Sequence, residues 1–156
     1  MNFKTIAKTT ITAAALALTS MSYAADIDMS VDSNDLAIQG YDPVAYFTKG
    51  APTKGEEKFT ATFKNAIYQF ASAANRDKFK KTPEKYAPQY GGYCAMGVVL
   101  DKKLAVEPTA WKIVNDKLYL NSNDMVFKKW STDIEGHITK SERNWASIRR
   151  VDAASL

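Results

Sequence analysis

A chain with one cysteine cannot staple itself. Cys94 is the only thiol in 156 residues, so no intramolecular disulfide can form and stability must come from packing. Seven phenylalanines, eight tyrosines and three tryptophans supply the means, because aromatic side chains bury large areas. The cysteine stands in Tyr90-Gly91-Gly92-Tyr93-Cys94-Ala95-Met96-Gly97. Two tyrosines and a methionine lie within four residues of the sulfur. Three glycines in the stretch let the backbone turn tightly or approach another group closely.

An unpaired thiol acquires meaning from its compartment, and the N-terminus points outward. Lys4 and Lys8 form a short basic region, Thr9 to Thr19 is an alanine-rich apolar run, and Ser22-Tyr23-Ala24 is a small-x-small cleavage site. This is the pattern of a secretory signal peptide over residues 1–24, cut after Ala24. The apolar run falls far short of the roughly 20 residues a spanning helix needs. The expectation is a periplasmic or secreted protein with no stable membrane insertion after cleavage. Removing Lys4 and Lys8 from the 21 basic residues leaves 19 against 17 acids, a net charge of +2. The remaining basic residues are scattered or paired, as at Lys80-Lys81 and Arg149-Arg150, which argues against a nucleic-acid partner.

The rest of the chain has the length of one domain with a real core. Residues 25–36 are polar and acid-rich and read as a flexible arm. A domain follows over 37–148, and 149–156 reads as a frayed tail. Asp42 is placed to cap a short helix beginning at Pro43. Phe59 to Phe63 alternates apolar and polar residues, Lys64-Asn65 can turn, and Ile67 to Phe70 can return as a second strand. Ser72 is a helix N-cap, with Ala74 and Phe79 on the buried face and a stop before Pro83. Val98-Val99-Leu100 is too short for strand and helix to be told apart. Ala110 to Val114 and Lys117 to Leu120 flank Asn115-Asp116 as a second hairpin. Asn123 caps a helix carrying Val126 and Trp130. Gly136 interrupts, and a last helix places Ile134, Ile138, Trp145 and Ile148 near helical spacing. No internal repeat and no low-complexity segment is read from the sequence. The fold class expected is α+β: small antiparallel hairpins covered by several short helices in one domain.

Five motifs carry a resemblance. Asp42-Pro43-Val44-Ala45-Tyr46-Phe47, Tyr68-Gln69-Phe70-Ala71-Ser72, Pro83-Glu84-Lys85-Tyr86, Gly91-Gly92-Tyr93-Cys94-Ala95 and Trp111-Lys112-Ile113-Val114 resemble the YHS domain family, and its stand-alone secreted bacterial branch more closely. The resemblance covers about Ile38 to Trp145. It implies an association with metals, since metal-linked members carry thiolates suited to soft or borderline cations. Those thiolates have no match here: Ala45 and Ala71 stand at the two motif positions.

The candidate metal ligands are therefore Cys94, Met96 and His137, with copper or zinc as the ion. Sulfur ligands with one imidazole favour Cu(I), whereas a closed zinc site needs about four ligands. Cys94 can equally be a reactive or redox-sensing thiol, or a buried residue among aromatics. Tyr46, Tyr90, Tyr93 and Trp111, with Tyr41, can wall a pocket for a small apolar or planar ligand, or fill the core. Asp42 and the N-terminal acids match no calcium loop and read as solvated. No phosphate loop, G-x-S-x-G, Cys-x-x-Cys or His-Glu-x-x-His occurs, so no catalytic residue is assigned. The reading favoured is a non-catalytic module binding a metal ion or small molecule. A thiol-dependent enzyme or redox sensor, and an interaction module, are the alternatives.

Overall fold

Two-residue turns set the frame. β1 (Glu56–Phe63) and β2 (Ala66–Phe70) pair antiparallel around Lys64-Asn65, whose φ angles are 49° and 59°. β3 (Glu107–Val114) and β4 (Lys117–Asn121) pair around Asn115-Asp116, at 49° and 58°. Two consecutive positive φ values make the turn whose twist matches the flanking strands. Asparagine and aspartate visit that region with the help of local hydrogen bonds, which suits Asn65, Asn115 and Asp116; Lys64 is the one turn residue outside that class. The computed structural model describes residues 24–156; the signal peptide expected from the sequence therefore lies, but for Ala24, outside the described residues. The fold is α+β, with two small antiparallel sheets and short helices around them.

The helices begin where the sequence supplies caps. α1 (Pro43–Thr48) starts on Asp42, α2 (Ala73–Lys81) on Ser72, and α3 (Pro83–Tyr86) is a single turn after Thr82. The ambiguous apolar stretch is helical: α4 (Ala95–Val99) starts on Cys94. α5 (Asp124–Trp130) is capped by Asn123, and α6 (Ile134–Ile148) by Asp133. Two expectations fail here. Ala74 is exposed rather than buried, and only Phe79 fills the buried face of α2. Gly136 does not interrupt a helix; it lies in the first turn of α6 and donates its N–H to Asp133 Oδ1 at 3.1 Å. A Cβ there would collide with the Asp133 carboxylate, so the glycine makes room for the cap.

The hairpins are one structure used twice, which corrects the reading of a chain without repeats. Glu56 and Glu107, Phe63 and Val114, Ala66 and Lys117, and Phe70 and Asn121 bound corresponding strands, each pair 51 positions apart. The register matches pair for pair: Ala61 faces Tyr68 as Lys112 faces Tyr119, and each hairpin has one irregularity, before Thr60 and before Trp111. The caps Ser72 and Asn123 follow at the same offset. Upstream, a tight turn with left-handed residues precedes each unit, Gln39-Gly40 in one and Tyr90-Gly91 in the other. Gly92 adds one residue, and the helix caps Asp42 and Cys94 then correspond.

Each unit buries an aromatic pair. Phe79 lies 4.8 Å from Tyr68 and 5.1 Å from Phe70 between ring centroids. Trp130 lies 5.5 Å from Tyr119 at the equivalent place. Fully burying one such side chain stabilises by roughly 1.5–3 kcal/mol. The two clusters form two adjoining cores, the first around Tyr46, Tyr68, Phe70 and Phe79, the second around Tyr90, Cys94, Val98 and Trp130. α6 covers the second, with Ile148 buried and Ile134, Ile138 and Trp145 packed against it.

Both ends of the domain are tied down. Lys103 is 5 % exposed, and its Nζ donates to the carbonyls of Ile27 (2.9 Å), Arg149 (2.8 Å) and Val151 (2.7 Å). The rings of Tyr93 and Trp145 lie 5.4 and 5.5 Å from the ammonium. A buried charge requires such partners, and burial pulls this lysine below its ordinary pKa. The segment 25–36, read from sequence as a flexible arm, is held further by buried Met29, by an ion pair of Asp28 with Lys64, and by a bridge from Leu36 to Ile67. Gly91, at φ 62°, lets this segment pass: a Cβ would collide with the Asp28 carbonyl oxygen. The tail 149–156, expected to fray, ends in a short turn at Ala153–Ser155, with Leu156 against the second core.

Candidate functional site

The two helix caps sit at equivalent corners, and their chemistry differs. Asp42 is fully buried, contrary to its reading as a solvated acid. Its Oδ1 accepts the N–H groups of Val44 (2.8 Å) and Ala45 (3.2 Å). Its Oδ2 crosses to the start of α2 and accepts from Ala71 N–H (2.9 Å) and Asn75 Nδ2 (2.7 Å). One carboxylate thus closes the corner between α1 and α2 with four charge-assisted bonds, the stronger kind.

At the second corner the cap is a thiol. Cys94 Sγ accepts from Gly97 N–H at 3.3 Å and lies 3.7 Å from Asn121 Oδ1, to which the S–H donates. The partners across the corner have changed as well: Ser122 stands for Ala71 and Val126 for Asn75. Asn121 reaches Cys94 and Met96 from the end of β4, but among the described residues no side-chain hydrogen bond joins α4 to α5, and an apolar cleft of about 360 Å³ opens there. Cys94, Met96 and Gly97 form one wall and Ser122, Asn123 and Val126 the other, with Leu100, Leu104 and Lys129 at the mouth. Leu100 and Leu104 are among the exposed large apolar residues, and Met125, 81 % exposed, stands beside Val126. The volume lies at the lower end of small-molecule sites, roughly 300–1,000 Å³. A larger depression of about 530 Å³ lies among Asp26, Asp28, Lys64, Arg149 and Arg150; it mixes charges of both signs, and its Lys64 is already paired with Asp28.

The remaining sequence candidates fall in different places. Cys94 and Met96 share the cleft. His137 does not line it: in the first turn of α6, its Nδ1 lies 2.8 Å from the Trp130 carbonyl oxygen. A carbonyl only accepts, so Nδ1 carries the proton in this bond. Among the described residues no group of three or more His, Cys, Asp or Glu is placed to hold a metal ion. The four aromatic candidates are split between the two cores. Tyr46 packs edge-on against Trp111 at 5.1 Å, and its hydroxyl donates to the Pro108 carbonyl at 2.8 Å. Tyr90 and Tyr93 instead flank Trp145, at 5.9 and 6.2 Å. Among the described residues they form two separate aromatic groups. Burial pushes the phenols of Tyr46, Tyr68 and Tyr90 well above their ordinary value.

Sequence reasoning passed over Asn121, Val126 and Lys129. Asn121 is fully buried at the end of β4. Its Oδ1 also accepts Met96 N–H at 3.2 Å, while Nδ2 has no partner among the described residues. A polar residue ending a strand two positions before a helix cap was the available signal, because the equivalent position in the first hairpin is Phe70. No helix among the described residues is long and apolar enough to cross a membrane. No family model matches the chain, and no curated protein or solved structure matches it.

Proposed function

We propose that this chain is an exported, YHS-like module that binds a small, largely apolar molecule in the Cys94–Val126 cleft without transforming it. The observation that carries the reading is the open corner. The same architecture is closed by a carboxylate in the first unit and left as an apolar cavity of about 360 Å³ in the second. Export rests on the signal-peptide pattern of residues 1–24, and the family on the five motifs that resemble it. Binding without catalysis is favoured because no motif of a catalytic site occurs in the sequence. The test is a cleft-filling substitution: Val126→Phe should abolish binding of apolar fragments detected through the amide resonances of Met96, Gly97 and Ser122. Unchanged binding in a folded Val126→Phe protein would remove the reading.

A second reading is favoured by one observation, the shared position of Cys94 and Met96 on the cleft wall. Two sulfur ligands suit Cu(I). Copper titration of the exported protein beside Cys94→Ser tests it: stoichiometric binding lost in the variant supports a copper-handling role. Equal affinity in both proteins excludes Cys94 as the ligand.

A further inference from the structure

The first residue after the expected cut is already docked on the domain, and the inference rests on the export reading above. The Ala25 N–H donates to Asp35 Oδ1 at 3.0 Å. Other bonds hold both sides of that contact. Ala25 packs against the first core. The next residue, Asp26, donates its N–H to the Lys64 carbonyl at 3.0 Å and accepts from Asn65 Nδ2 at 2.7 Å. Asp35 donates its N–H to the Asp32 carbonyl at 3.1 Å, and its own carbonyl accepts Ile67 N–H at 2.7 Å. Its φ is 60°, a conformation aspartate tolerates. Asp28 of the same segment is paired with Lys64, whereas among the described residues no lysine, arginine or histidine pairs with the Asp35 carboxylate. Ala24, on the far side of the bond to be cut, is exposed.

We infer that processing completes this contact: cutting after Ala24 turns the Ala25 N–H into an ammonium that pairs with Asp35 and locks the start of the mature chain onto the first core. A signal peptidase adds water across the Ala24–Ala25 bond. The oxygen of water goes to the Ala24 carbonyl carbon, giving a carboxylate that leaves with residues 1–24. The two hydrogens go to the Ala25 nitrogen. Such an amine titrates near about 8, so at neutral pH it is largely an ammonium. A neutral donor thereby becomes a charged one facing a carboxylate, and charge-assisted bonds are the stronger kind. The pair lies two residues before Ile27, whose carbonyl shares the Lys103 ammonium with those of Arg149 and Val151. The lock therefore reinforces the seam that joins the two ends of the domain.

N-terminal sequencing of the exported protein should give Ala25 as the first residue. A protein that is not exported and cut takes the export reading and the inference down together; an exported protein with another first residue overturns the inference alone. Urea denaturation then compares the exported protein with the same protein acetylated selectively at its α-amine, each with and without Asp35→Asn. Acetylation keeps an N–H at residue 25 and removes the charge, and asparagine tolerates the left-handed backbone. Asp35→Asn should shift the unfolding equilibrium of the free-amine protein about fivefold toward the unfolded state, the upper end for a pair near the surface. In the acetylated protein the shift should be less than about twofold. Amide exchange at Asp26 should speed up on acetylation when Asp35 is present and stay unchanged in the Asp35→Asn protein. Equal effects of Asp35→Asn in the two forms, in a protein that begins at Ala25, would overturn the pairing and leave export standing.

Discussion

In the first unit the corner between α1 and α2 is held by a buried carboxylate with four donors. In the second, the corner between α4 and α5 is held by a thiol with one backbone donor and one acceptor. Strand lengths, register, turn conformation and helix caps are otherwise matched. The backbone therefore does not decide which corner is closed; the side chains at two positions do. An aspartate and an asparagine, with the Ala71 backbone N–H, make a structural knot. A cysteine and a valine at the same positions make no such bonds and leave a cleft.

The comparison breaks most visibly at Asp42. Asp42→Ala removes a helix cap and leaves Ala71 N–H and Asn75 Nδ2 without their acceptor, so it should cost about 3 kcal/mol. Cys94→Ala removes one weak acceptor and a small side chain, and should cost about 1 kcal/mol. Urea denaturation of both variants checks the pair. Equal losses would mean that the two corners bear the same load, and the contrast drawn between them would be void. The reciprocal transplant sharpens the same point. Asp42→Cys/Asn75→Val should destabilise by less than Asp42→Ala, since no polar side chain is orphaned at Asn75, and should open a second apolar cleft detectable by binding of an apolar dye.

The local rules were legible in the sequence. Asp42, Ser72 and Asn123 were readable as caps because each precedes a run of helical spacing, and both hairpins were readable from alternation around polar dipeptides. The duplication was not. Across 56–81 and 107–132 only Glu56/Glu107, Tyr68/Tyr119 and Lys78/Lys129 keep the residue type. Backbone geometry tolerates such divergence provided that turn, cap and one aromatic pair persist, as Phe79 and Trp130 show. The cleft was half legible. Cys94 and Met96 drew notice as the sulfur-bearing stretch, but Val126 matters only by contrast with Asn75, which requires the alignment that the fold supplies. The grouping of the aromatic residues was not legible for a related reason: Tyr46 and Tyr90 belong to different units, and each fills the core of its own. The arm and the tail looked loose because their anchor, Lys103, is a charged residue that sequence reasoning places at the surface.

The smallest effect separates the counterpart tyrosines. The Tyr68 hydroxyl is buried with no partner among the described residues, so Tyr68→Phe removes an unsatisfied group and should raise stability by about 1 kcal/mol, or the melting temperature by about 3 °C. Burial holds the Tyr68 phenol far above the ordinary value near 10, and desolvation raises Tyr119 as well. A raised pKa means that the folded state keeps the proton longer than the unfolded chain. Stability from this source is full below pH 10 and falls as pH rises beyond it, by about 1.4 kcal/mol per pH unit for the Tyr68 phenol. Tyr68→Phe should make that alkaline decline shallower by one phenol's share, measured by urea denaturation at pH 9, 10 and 11. Tyr119→Phe should bring no gain at neutral pH, because the Tyr119 hydroxyl is not among the unsatisfied groups. A gain from Tyr119→Phe equal to that from Tyr68→Phe would show that the two units bury their tyrosines at the same cost, and the asymmetry between them would then be confined to the corners.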